Sequence, residues 1–521
     1  MDEKRSVTKA AGHIFAATNI SRILGFIRDV ILARIFGATG LTDAFFVAYR
    51  IPNLLRELFA EGAVSAGFVP VFTEYQTKEG KEEAKKLAGV VFAFLLCFLI
   101  IICLVGILLA PYIASLFAPG FKSDPVKFQL TIKLIRIMFP FLLFISLSAL
   151  LMGVLNSLRS FFIPALAPAS FNLAIIGSAL FLAPEFHVPI IAIGIGVTLG
   201  GACQYGVQLL GLAREKYSFR PVFSFSHPGL KKVLLLVLPV LAAIGATQIN
   251  VLISNIFVSY LSEGSATYLY YGIRLVLFPI GIFGVAMSTA VLPFMSEQAA
   301  KGDIDTMRET FSFSLKLVFF MSIPAMAGLI ALSGPIINIL FQRGEFTYEA
   351  TAGTVTALLY YSCGLWAFVG LKVVRTPFYS MQDTKTPLKV ALISVTTNII
   401  FSFILIGPLK HGGLALSLSI SAAVNFIVLF YLLRGKLGGV DGKNIFKSFI
   451  KVSSASLIMG LTGWQLIKGD MWMESGRTLE KSAILIGTIV LCAGLYFLIM
   501  YLMKSEELNY LINLRKKKQQ V

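Results

Sequence analysis

Charge is what this sequence has least of. Only 14% of its 521 residues are Asp, Glu, Lys or Arg, against about 25% in a typical soluble domain. Acids are the scarcer sign, 27 against 45 bases, which leaves a formal net charge of +18. Cysteine is also sparse. Cys97, Cys103, Cys203, Cys363 and Cys492 lie in or beside apolar stretches and form no CxxC pair. They read as small core residues rather than disulfides or zinc ligands. The four histidines, His13, His187, His227 and His411, are far apart in the chain. The sequence contains no HExxH, no P-loop and no GxSxG. A metal centre, a bound cofactor, a nucleotide hydrolase and a serine hydrolase are therefore not expected.

What is abundant is apolar: 57% of the residues, with 44 Gly besides. A soluble fold of this size could not hide so much apolar surface. At about 20 residues per span, roughly 300 apolar residues allow at most about 15 membrane helices. The basic excess would suggest nucleic acid in a soluble chain. Here it sits mostly in the loops between apolar runs, as topology charges facing anionic lipid, and no nucleic-acid partner is expected.

Runs of spanning length lie near 10–36, 44–72, 88–112, 129–154, 161–183, 188–212, 232–260, 267–295, 311–333, 351–376, 387–407, 412–434, 446–468 and 481–503. This predicts an all-α polytopic membrane protein with 14 transmembrane helices. Alternate flanks are unequal: one set carries 28 Lys and Arg, the other seven. That bias puts both termini in the cytoplasm. The stretch after Asp2-Glu3-Lys4-Arg5 is too long and too charged for a cleavable signal, so the first helix is expected to stay in the mature chain.

The sequence also repeats. Arg50 recurs as Arg274 and Leu116-Phe117 as Leu340-Phe341, both at an offset of 224. Val69-Pro70 with Glu74 recurs as Leu292-Pro293 with Glu297, and Pro164 as Pro387, at 223. The shift implies two parallel six-helix lobes, related by a pseudo-twofold axis along the membrane normal, as in carriers that work by alternating access. The expected organisation is an N-lobe over 1–215, a cytoplasmic linker over 216–231 and a C-lobe over 232–434. Two further helices and a basic cytoplasmic tail fill 435–521.

Ionisable groups at bilayer depth are costly and normally face a cavity or a partner. The first span holds Arg22, Arg28, Asp29 and Arg34. Arg22 and Asp29 fall about 20° apart on a helical wheel. In the second span Asp43, Arg50, Glu57 and Glu61 fall within about 40°, one polar stripe, with Arg56 roughly 100–140° away. The eighth span adds Arg274, with Thr267 and Tyr270 on nearly the same face. The plainer reading is that these charges merely pair with one another, Arg22 with Asp29 for example. Arg34, Lys372 and Arg375 lie where snorkelling or pairing is a ready explanation. A water-filled cavity rich in arginine points instead to an anionic, phosphorylated substrate, because guanidinium forks match phosphate oxygens and keep their charge.

Ser21-Arg22-Ile23-Leu24-Gly25-Phe26-Ile27-Arg28-Asp29, Thr42-Asp43-Ala44-Phe45-Phe46, Pro52-Asn53-Leu54-Leu55-Arg56 and Phe59-Ala60-Glu61-Gly62 resemble the MurJ (MviN) lipid II flippases. So do Tyr270-Tyr271-Gly272-Ile273-Arg274, Phe346-Thr347, and Tyr379-Ser380 followed by Gln382-Asp383-Thr384-Lys385-Thr386-Pro387. The resemblance spans nearly the whole chain. It implies the multidrug/oligosaccharidyl-lipid/polysaccharide exporter fold and a transporter rather than an enzyme. The substrate would be lipid II, the undecaprenyl-diphosphate-linked peptidoglycan precursor, carried from the inner to the outer leaflet of the bacterial inner membrane for cell wall synthesis.

By the same resemblance Arg22, Arg28, Arg56 and Arg274 would bind the headgroup. Asp43 would be a functionally important acid at the outer end of the second helix, and the wheel reading adds Asp29, Arg50, Glu57 and Glu61 as residues expected to line or gate the cavity. The chain would act as a monomer among membrane lipids, in contact with the cell-wall synthesis machinery. Two positions depart from the usual pattern: Glu57, where many members have a second Arg, and Leu277, where many have an acid. Replacing Arg28 or Arg274 by Ala is expected to abolish transport without loss of folding. Two relatives in function stay open, an exporter of another lipid-linked polysaccharide and a drug/cation antiporter of the same superfamily. A polyprenyl glycosyltransferase would call for a catalytic acid and a sizeable outer loop.

Overall fold

The structure is a computed structural model that describes residues 2–59 and 67–518. Helices account for nearly all of it, and no strand occurs among the described residues. The chain divides into two compact units, Met1–Glu263 and Gly264–Val521.

The first unit runs α1 (Asp2–Phe36), α2 (Gly40–Arg56), α3 (Val69–Lys78), α4 (Lys81–Leu108), α5 (Ala110–Phe117), α6 (Pro125–Met138), α7 (Phe141–Ser157), α8 (Phe162–Gly177), α9 (Ile190–Arg214) and α10 (Pro228–Ser259). The second runs α11 (Ser265–Pro279), α12 (Ala286–Lys301), α13 (Ile304–Ala331), α14 (Ser333–Phe341), α15 (Tyr348–Ser362), α16 (Leu365–Ser380), α17 (Lys385–Lys436), α18 (Gly442–Leu466), α19 (Thr478–Leu502) and α20 (Glu506–Lys518).

The repeat seen in the sequence governs these bounds. α4 and α13 are both 28 residues long and are shifted by 223 at each end. α1 ends at Phe36 and α10 at Ser259, α3 at Lys78 and α12 at Lys301, each a shift of 223. A π-helical turn begins at Glu57 in one copy and at Ile280 in the other, again 223 apart. Local chemistry repeats with the bounds. Asp124 caps α6, its carboxylate accepting from the N–H groups of Val126 and Lys127 at 3.1 Å. Thr347, the matching position of the second copy, caps α15 by accepting from Ala350 N–H at 3.3 Å. Such caps satisfy the orphan donors of a first helical turn and fix where the helix starts.

Nine helices among the described residues are long and apolar enough to cross a membrane, or ten with the bent pair α15–α16. α17 runs 52 residues and covers two expected spans. Lys410 is non-helical inside it (φ 49°, ψ −129°) and marks the break. α1 is not among the nine; Arg22, Arg28, Asp29 and Arg34 crowd its apolar stretch.

The second copy of the repeat starts with α10, yet α10 packs within the first unit. Lys232 Nζ pairs with Glu74 Oε2, Gln248 Nε2 donates to Glu57 Oε2 at 2.6 Å, and Ser259 Oγ accepts from Gly120 N–H at 3.0 Å. Gly120 is required there: a Cβ would sit 2.3 Å from the Ser259 carbonyl oxygen. The α9–α10 connection is fastened as tightly. Val222 N–H donates to the Gly89 carbonyl at 3.1 Å, and a Cβ on Gly89 would lie 2.1 Å from Arg220 O.

Candidate functional site

In α1, Arg28 and Asp29 are 6% and 3% exposed. The guanidinium donates to Asp29 Oδ1 through Nη2 at 2.7 Å and Nε at 3.1 Å. Its Nη1 donates to Asn172 Oδ1 on α8 at 3.1 Å. Asn172 Nδ2 in turn donates to the Ser21 carbonyl at 3.1 Å. A buried guanidinium is tolerated only when its charge and donors are met, and here an acid and an amide meet them. Arg28 thus joins α1 to α8. Replacing Arg28 by Ala would take this ion pair from the Asp29 carboxylate and the Nη1 bond from Asn172. Arg22 and Arg34 on the same helix are exposed.

Along the stripe on the second span, exposure and partners differ from residue to residue. Asp43 is 2% exposed and meets Lys127 Nζ of α6 at 3.3 Å. Lys127 also lies over the Phe121 ring at 4.2 Å. Arg50 is half-buried. Glu57 follows α2, where the backbone changes to π-helical; its Oε1 accepts from Asn53 Nδ2 at 3.2 Å and lies 4.0 Å from Arg56 Nη2, while Oε2 takes the Gln248 bond. Arg56 Nε donates to Asn53 Oδ1 at 3.1 Å. The Asn53, Arg56, Glu57 and Gln248 side chains therefore form one partly buried polar cluster between α2 and α10. Glu61 lies outside the described residues.

In the second unit Arg274 is exposed on α11. Its guanidinium carbon lies 5.2 Å from the Tyr270 ring centroid, and Nη2 donates to Tyr270 Oη at 3.0 Å. The stacking orients the planar fork. Lys372 on α16 is exposed and Arg375 half-buried, and the Arg375 Nε is a buried donor without a hydrogen-bond acceptor among the described residues.

Outside the spans, carboxylates are held down by cations. Lys232 and Lys78 lower Glu74. Lys436, at 2.6 Å, and the Thr386 N–H and hydroxyl hold Asp383 well below the usual carboxylate range. Asp383 belongs to the Gln382-to-Pro387 motif and sits at the start of α17, where its bonds to Thr386 give it a structural place.

Sequence reasoning misses Asn172, Gln248 and the partnership of Lys127 with Asp43. The neutral amides carry no charge signal in an apolar run. Lys127 reads as a loop charge, and it stands on α6, four helices beyond the Asp43 of α2, where a helical wheel cannot connect them.

A family profile described as "Lipid II flippase MurJ" matches residues 32–476. The chain is 34% identical over 491 residues to the lipid II flippase MurJ of Burkholderia cenocepacia, covering 93% of this chain and 95% of that protein. It is 35% identical over 500 residues to a probable lipid II flippase MurJ of Vibrio cholerae, with coverage of 94% and 95%. Among solved structures, a lipid II flippase MurJ in an inward closed conformation is similar with a TM-score of 0.77 at 29% identity, over 93% of this chain and 98% of that one. An inward-facing multidrug transporter of the MATE family shares the fold at a TM-score of 0.68 and 14% identity, over 81% and 96%. The profile takes in most of the chain and the two relatives align along nearly all of it, so this protein belongs to the lipid II flippase MurJ family.

Proposed function

We propose that the chain moves lipid II from the inner to the outer leaflet of the bacterial inner membrane by alternating access. On this reading it has fourteen spans, two six-helix lobes over 1–215 and 232–434, and both termini in the cytoplasm. Arg22, Arg56 and Arg274 engage the diphosphate and sugar headgroup during the cycle, and Arg28 contributes by fixing α1 on α8.

The observation that carries this reading is Arg274. It is an exposed guanidinium within Ser265–Lys301, a 37-residue stretch apolar enough to cross a membrane. A cation at such depth persists where it has water or an anion to face, and a planar fork suits a diphosphate better than a point charge does. The test is reconstitution of the purified chain into liposomes carrying labelled lipid II, scoring leaflet exchange. Movement of lipid II above protein-free liposomes is the expected result. Exchange no faster than in protein-free liposomes refutes the proposal.

A further inference from the structure

One polar cavity of the second unit is untouched by this reading. About 220 Å³ in volume, it is lined by Asn338, Gln342 and Arg343 at the end of α14, by Ser475 and Gly476, and by Thr478 and Lys481 in the first turn of α19. At about 30 Å³ per water it has room for roughly seven waters, or for one small anion with its hydration.

Lys481 is 2% exposed. Its Nζ donates to the Glu474 carbonyl at 2.5 Å and to Asn338 Oδ1 at 3.2 Å, and both acceptors are neutral. These bonds use two of the three ammonium donors, and the Trp472 ring centroid lies 6.0 Å from Nζ. Among the described residues no carboxylate lies within ion-pair distance of Lys481 or Arg343, and Glu474 and Glu480 are exposed.

The lysine is also on the wrong end of its helix. A first helical turn carries a partial positive charge, which favours acids there and disfavours a cation, and no side chain caps α19. Arg343 adds a second cation; its Nη2 donates to the Ile339 carbonyl, again a neutral acceptor. The position is held firmly: Asn338 Nδ2 donates to the Trp472 and Glu474 carbonyls at 2.9 and 3.0 Å, and Gln342 Nε2 to the Met473 carbonyl at 2.7 Å. A buried ammonium, a guanidinium and an uncapped helix start around one small cavity all favour the same occupant.

We propose that this cavity binds a phosphate-class oxyanion, with Lys481 and Arg343 as its charged donors. The group comes either from free phosphate or from the headgroup of an anionic lipid.

The test uses the full chain purified in a phosphate-free maltoside detergent and a chloride-free buffer. Inorganic phosphate is titrated calorimetrically in one arm; in the other, retained phosphatidylglycerol is scored by native mass spectrometry. Wild type is expected to bind in at least one arm, and the arm identifies the source. Arg343→Gln should weaken that binding about tenfold, the worth of one charge-assisted bond, and Lys481→Met should abolish it. The Arg343-dependent part of the binding should persist in Arg274→Ala, which separates this cavity from the flipping site. If Lys481→Met does not fold, Arg343→Gln, on a less buried side chain, decides. Absence of wild-type binding in both arms, equal binding by Arg343→Gln, or loss of the Arg343-dependent part in Arg274→Ala overturns the proposal.

Discussion

Replacing Asp29 with Asn removes the carboxylate charge beside the buried Arg28 guanidinium while keeping the shape of the side chain. Arg28→Met does the reverse and takes the guanidinium from the Asp29 carboxylate, which is 3% exposed. Breaking one side of a buried pair costs about 3–5 kcal/mol, whereas replacing both charged partners by neutral groups is near neutral or stabilising. The Arg28–Asp29 pair, at 2.7 Å with both side chains under a tenth exposed, meets that description. Each single variant should therefore unfold at a lower temperature. At about 2 °C or more per kcal/mol for a unit of this size, the drop is at least roughly 6 °C. The double variant should recover most of the loss, giving a coupling of about 3 kcal/mol in a double-mutant cycle. Thermal unfolding of the purified chain in detergent, followed by intrinsic fluorescence, reads all four proteins. Single variants that unfold with the wild type, or a double variant whose loss equals the sum of the singles, would refute the reasoning.

Other outcomes follow from the same geometry. Asn172→Ala removes one bond to a charged donor and one to the Ser21 carbonyl, and should cost about 2–4 kcal/mol in the same unfolding assay. Gly89→Ala places a Cβ 2.1 Å from Arg220 O and should cost about 1–3 kcal/mol by overpacking, also read by unfolding. Asp383 has a lowered pKa, so its contribution is present above the ordinary Asp value of 3.8 and fades as pH falls below it. Unfolding temperatures of wild type and Asp383→Asn should therefore differ at pH 7 and converge as the pH drops below about 4.

Much of this architecture can be read along the chain. The 223–224 shift that links Arg50 to Arg274 and Pro164 to Pro387 also sets the ends of α4 and α13 and the onset of both π-helical turns. Repetition of this kind survives because each copy needs the same caps, prolines and apolar lengths. The partners of the buried charges are not legible. Asp43 pairs with Lys127 from α2 to α6, and Arg28 with Asn172 from α1 to α8; a wheel drawn on one helix finds only neighbours on that helix. The wheel favours Asp29 with Arg22, but the long Arg28 side chain folds back onto the adjacent carboxylate. Lys481 likewise reads as a flank charge, since its burial comes from the 470–478 segment closing over it. Packing of α10 within the first unit, though it opens the second copy of the repeat, rests on contacts such as Gln248–Glu57 that have no periodic signature.

The most direct measurement of the central claim is lipid II exchange in liposomes by Arg274→Ala, set beside wild type and Arg274→Lys. Arg274 is exposed and stacks on Tyr270 of its own helix, so the variants should unfold with the wild type. Loss of a charge-assisted fork is expected to slow exchange at least about tenfold, with lysine restoring little of it. Exchange at the wild-type rate by a folded Arg274→Ala protein would contradict the account.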